Sequence, residues 1–141
     1  DYVFHTEYKS NLKYDLDYIR PDNKIIVLDK YRGDNKKLIL PPVDVIKSSA
    51  FKHNIYVEEI VIPYEVQVIE GESFVGCSRL KKIDIQANIK SINMLTFEDC
   101  INLEEVILPN TLKIIEALAF QGCLSLSKLN FQMMKGLMEE M

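Results

Sequence analysis

Apolar residues return along this chain at a fixed interval of 23. Phe51, Phe74, Phe97 and Phe120 keep it, as do Ile46, Ile69, Ile92 and Ile115. Cys77, Cys100 and Cys123 keep it too, with Asn54 in the matching place one unit earlier. Leu80, Leu103 and Leu126 follow Val57 in another column. Ile60, Ile83, Val106 and Leu129 form a fifth, and Ile62, Ile85, Leu108 and Phe131 a sixth. A unit this short cannot bury its own apolar residues. Stacked units can, because each column meets its counterparts in one continuous core. The columns therefore predict a short solenoid of stacked coils.

Within a unit, Leu80-Lys81-Lys82-Ile83-Asp84-Ile85 ends with period 2, which places Ile83 and Ile85 on one face of a strand and Lys82 and Asp84 on the other. Pro63 and Pro109 end two such strands, where a missing N–H costs least. Further on, Phe74 and Cys77 sit three apart, the spacing that shares one face of a helical turn. The residue before each Cys is Gly76, Asp99 or Gly122, and His53 precedes Asn54. These types tolerate positive φ, which suits a turn closing in the left-handed region. The expected architecture is an α/β repeat solenoid, with short parallel strands on one face and helical turns on the other.

Ile-x-Ile-Pro, then Val-x-x-Ile, then Ser/Ala-Phe-x-Gly-Cys-x-x-Leu runs from Ile60 to Leu80, again from Val106 to Leu126, and with substitutions between. This pattern resembles the BspA-type leucine-rich repeat, and the match covers about residues 25–131. The resemblance implies a leucine-rich-repeat coil. It also implies adhesion or partner binding at a cell surface or in secreted form, as is common for that family in bacteria and some protists. The motif residues are nearly all core, so they specify the fold far better than the function. Gln86 stands where a strand-ending Pro is usual, Asn54 replaces the first Cys, and the first unit is one residue short between Leu40 and Ile46.

A solenoid needs its two ends covered. Residues 1–37 read as an N-terminal capping segment with a β-hairpin. Leu12, Tyr14, Leu16 and Tyr18 alternate with polar residues, Arg20-Pro21-Asp22-Asn23 reads as a turn, and Ile25 to Tyr31 as the returning strand. Residues 38–131 carry the repeats. In residues 132–141, Met134, Leu137, Met138 and Met141 have helical spacing, which reads as a helical cap or a linker. The chain opens on Asp1 rather than Met, which we read as a piece of a longer protein.

The formal net charge of −4 offers no basic footprint for nucleic acid, and no apolar run is long enough for a transmembrane helix. Cysteines 23 residues apart lack the close pairing of a zinc site, so packed thiols are expected and no metal or cofactor. His5 and His53 have no ligand-spaced neighbours and are read as structural or solvated. No phosphate loop occurs. Nothing assembles a nucleophile, a base and an orienting group, so the chain is not expected to be an enzyme. Arg32-Gly33-Asp34 spells a tripeptide that integrins recognise, but a turn ahead of the first repeat explains it more simply.

Aligning the strands sends Lys37, Glu59, Lys82, Glu105 and Lys128 outward in one column, beside Lys36, Glu58, Lys81, Glu104 and Ser127. Sign alternates at each step of the first column and until the last unit in the second, which reads as a solvated face favouring the stacking register. The next outward column is Ile39, Val61, Asp84, Ile107 and Asn130. Its apolar members gain nothing from water, so it is the expected contact surface for a protein or glycan partner. The alternative is a structural spacer carrying other domains.

Overall fold

The computed structural model describes residues 1–11 and 13–129. The N-terminal cap is a long antiparallel pair, β1 (Tyr2–Tyr8) and β2 (Lys24–Tyr31), with a register irregularity between Val3 and Phe4. The hairpin thus forms, but its first strand lies upstream of the segment expected to supply it. Residues 13–18 carry no strand, and Leu12 lies outside the described residues. Their alternation has another cause: Tyr14 and Leu16, with Val68, pack against Ile25, Val27 and Val45, forming a small second core on the outer side of the cap sheet.

Each repeat unit then contributes strands to two walls. On one wall β3 (Lys37–Ile39), β5 (Glu59–Ile62), β7 (Lys82–Ile85), β9 (Glu105–Ile107) and β11 (Lys128–Leu129) stack in parallel as a five-stranded sheet. Ile60, Ile62, Ile83 and Ile85 point inward and are fully or almost fully buried, as their period of 2 demands. On the other wall β4 (Val45–Ile46) joins β2, β6 (Val68–Ile69) joins β4, and β8 (Ser91–Ile92) pairs with β10 (Ile114–Ile115). Gln86 is accommodated at the strand end because its N–H, which Pro would lack, donates to Ile62 O at 2.9 Å.

The expected helical turns are not there. Residues 48–53, 71–76, 94–99 and 117–122 form successive hydrogen-bonded turns instead of helix. Each carries two left-handed residues four apart: Ser49 and His53, Glu72 and Gly76, Leu95 and Asp99, Leu118 and Gly122. Two such residues in so short a run interrupt right-handed helix. The backbone donors are also spent between coils: Phe51 N–H donates to Ser73 O and Phe74 N–H to Thr96 O, at 2.8 and 2.9 Å. The left-handed sites before each Cys match the sequence reading. Gly76 has a second reason to be glycine, since a Cβ there would run into the His53 ring.

The core is organised around a column of rings. Phe51, Phe74 and Phe97 are fully buried, with centroids 4.9 and 5.4 Å apart and ring planes within 19°. Phe120 continues the stack at 5.3 Å. Tyr31 stacks on Phe51 and Tyr2 meets Tyr31 at a 45° tilt, so the column of rings extends beyond the phenylalanines.

Candidate functional site

The ladder of the five-stranded sheet brings the expected contact column together. Ile39 lies opposite Val61, Val61 opposite Asp84, and Asp84 opposite Ile107. Ile39 is 76% exposed, while Val61, Asp84 and Ile107 are half-buried beside their neighbours. Asn130 lies outside the described residues. Because strand neighbours sit ~4.8 Å apart, the four described residues form one continuous outward row. Asp84 interrupts its apolar character and accepts a hydrogen bond from Gln86 Nε2 at 3.3 Å.

The charged columns stand beside it in the expected register, from Lys37 opposite Glu59 to Glu105 opposite Lys128. They line a shallow groove of about 400 Å³. Among the described residues the one ion pair that closes within them joins Lys37 Nζ to Glu59 Oε2 at 3.1 Å. Alternation of sign therefore does not pull the remaining side chains into contact.

Several features lie beyond what sequence reasoning identified. Arg20, assigned to a turn, reaches Asp44 at 2.6 Å, and Asp44 is nearly buried. The same Asp44 Oδ2 accepts from Ile26 N–H at 2.8 Å. Gln67 clasps the backbone of Tyr18, donating to its carbonyl at 2.7 Å and accepting from its N–H at 3.0 Å. Lys90 reaches Asp17 at 3.1 Å. Residues 13–20 are thereby strapped across the second wall. No pairing joins β6 to β8 among the described residues, and a cavity of about 300 Å³ with a mixed polar and apolar lining lies there between strap and wall. Asn93 Nδ2 caps Ile69 O at 2.7 Å in that gap.

His5 sits between two carboxylates. Its Nε2 is 2.7 Å from Glu7 and its Nδ1 is 2.7 Å from Asp29, which also lies 3.7 Å from Lys47 Nζ. The hydrogen bond to Glu7 and the bond and charge of Asp29 raise the His5 pKa against a lowering by burial. Tyr14 is pushed up to about 12, first by burial and then by the nearby Glu70 and Glu7 charges. Among the described residues no group of three or more His, Cys, Asp or Glu is placed to hold a metal ion.

Cys77 and Cys100 are fully buried and Cys123 half-buried, all as free thiols. Within Arg32-Gly33-Asp34 the two charged residues are exposed, but Gly33 is buried. A Cβ at Gly33 would meet the Tyr31 ring, and its carbonyl accepts from Asn54 Nδ2 at 3.1 Å. Close packing therefore explains the glycine of the tripeptide.

The wider comparisons agree with this geometry. The model of the BspA-type leucine-rich repeat region matches residues 31–139 with six copies. Among solved structures, the T. pallidum leucine-rich repeat protein is 23% identical with a TM-score of 0.58, over 79% of this chain and 66% of that one. A leucine-rich repeat protein from Bacteroides ovatus is 24% identical with a TM-score of 0.63, over 84% of this chain and 41% of that one. A leucine-rich cell surface protein from Faecalibacterium prausnitzii is 21% identical with a TM-score of 0.55, over 84% of this chain and 39% of that one. The chain thus spans two-thirds or less of the length of these relatives, and likeness at this identity shows the fold. None of the curated proteins matches the chain. On the repeat match and the stacked coils together, the chain belongs to the BspA-type leucine-rich repeat family.

Proposed function

We propose that the chain is a non-catalytic binding module of a cell-surface or secreted protein, and that it takes a protein or glycan partner along the outward row Ile39, Val61, Asp84, Ile107 and Asn130. The observation that carries this reading is the exposure of Ile39 at one end of an in-register row that also holds Val61 and Ile107. Large apolar side chains turned outward in one line, on a rigid sheet, offer a contact that their own fold does not use. A repeat protein contributes such a surface by stacking equivalent positions. The leucine-rich cell surface protein of Faecalibacterium prausnitzii, which shares the fold, supports the surface location.

The test begins with a pull-down of host-surface and matrix components by the purified chain. The captured partner is then titrated against Val61→Lys with Ile107→Lys. Both positions face outward, so the double variant should keep its thermal midpoint within a degree or two while losing partner affinity. Full affinity in the double variant would move the contact face elsewhere.

A further inference from the structure

We propose that the charged end of the five-stranded sheet is a self-complementary surface that takes a second copy of this chain, docked antiparallel across a two-fold axis. The first coil presents Lys36 and Lys37 there, and the second presents Glu58 and Glu59. Lys81 and Lys82 follow on the third coil, and Glu104 and Glu105 on the fourth. The rows therefore carry charge in the order plus, minus, plus, minus. Reversed, that order is minus, plus, minus, plus, which is its own complement.

A two-fold axis between the second and third rows sets the lysines of row one against the glutamates of row four in the other copy. It also sets the glutamates of row two against the lysines of row three. Every row then meets its opposite, and the contact is isologous, using the same patch on both copies. A slip of one coil sets like against like along the whole surface, so the pattern specifies register as well as partner. The alternation breaks in the fifth coil, where Ser127 stands beside Lys128.

The pairs within one chain leave this capacity available. Among the described residues of these rows only Lys37 and Glu59 close to an ion pair, although the backbone ladder places the rows in register. The other carboxylates and ammonium groups flank an open groove. Four rows at ~4.8 Å spacing span only roughly 14 Å, so the association is small, reversible and governed by charge.

The test is a charge swap read by sedimentation equilibrium of the 141-residue chain, from micromolar to millimolar concentration. At about 0.1 M salt, where charges are felt over ~10 Å, the chain should show reversible dimer. At about 1 M salt, with screening over ~3 Å, it should sediment as monomer. Glu58→Lys with Glu59→Lys gives rows plus, plus, plus, minus; Lys81→Glu with Lys82→Glu gives plus, minus, minus, minus. Each variant alone opposes like charges at its centre and should be monomeric, with at least a tenfold weaker association. Mixed in equal amounts, the two are complementary in every row and should recover the dimer. That recovery also shows both to be folded. A wild-type chain that stays monomeric at about 0.1 M salt, variants that dimerise alone like the wild type, or a mixture of folded variants that stays monomeric would each overturn the proposal.

Discussion

The thiol of Cys100 donates to the carbonyl oxygen of Phe74, one coil back, at 3.1 Å. Cys77 does the same to Phe51, and Cys123 to Phe97, each at 3.1 Å. Asn54, which stands in the Cys column, donates its side-chain N–H to Gly33 O at the same distance. The column therefore selects a small side chain that can donate backward, which explains why Asn replaces Cys at the first coil. Cys100→Val keeps volume but loses this donor. The cost should be about 0.5–1.5 kcal/mol in chemical denaturation, because Phe74 O keeps a bond from Cys77 N–H.

Thiol reactivity follows from the same placement. The Cys100 thiol is held far above the ordinary range by the Cys77 thiol beside it and by burial. The Cys123 thiol is pushed up to about 12, mainly by burial. Native alkylation followed by mass spectrometry should modify half-exposed Cys123 first and Cys100 only as the chain opens. Reductant should leave the thermal midpoint unchanged. Labelling of Cys100 at the rate of an unfolded thiol would contradict the packing.

Phe97 stacks between Phe74 and Phe120 and is fully buried. Phe97→Ala should cost ~3–5 kcal/mol against a total stability of ~5–15 kcal/mol for a domain this size. Circular dichroism should show a chain near or past its unfolding midpoint at 37 °C. A shift no larger than that of Lys113→Ala, an exposed control, would mean that the ring column is not the core.

Asp44 ties Arg20 and the Ile26 N–H to one carboxylate. Asp44→Ala leaves both donors without it. Loss of one partner of a buried pair costs ~3–5 kcal/mol. The lower end applies here because the Arg20 side chain keeps 24% of its surface in contact with water. Urea midpoints should show the loss, and hydrogen exchange should rise first in residues 13–20 and β2. Exchange rising uniformly along the coils would argue against a separately anchored strap.

The His5 pKa is raised in the folded chain by Glu7 first and Asp29 second. A raised folded-state value means that protonation favours the fold: the contribution is complete below the ordinary value of 6.5 and is lost as pH rises through the folded pKa. The cap hairpin should therefore loosen from near-neutral pH upward. Ring chemical shifts of His5 should titrate above 6.5, and His5→Gln should flatten the pH dependence of the thermal midpoint over that window. A His5 ring that titrates below 6.5 would contradict the clasp.

The repeat, the inward strand positions and the outward row from Ile39 to Ile107 were all legible in the residues. These contacts recur with every coil, so the same side-chain type is required at the same interval and leaves a periodic trace. Even the short first unit was visible, and the ladder accommodates it by pairing Lys37 with Glu59. The charge alternation was equally plain, but its failure to close into ion pairs depends on side-chain geometry that no period records.

What the tertiary structure alone decided is what happens once. Tyr31 enters the ring column off the interval of 23, and Arg20 finds Asp44 across 24 residues. Gln67 holds Tyr18 across 49. Such contacts have no counterpart in a neighbouring coil and leave no interval to read. The missing helices have a related cause. Glu72, Leu95 and Leu118 adopt positive φ although their side chains do not favour it locally. Hydrogen bonds from one coil to the next hold the turns there, and those donors and acceptors face each other only after the coils have stacked.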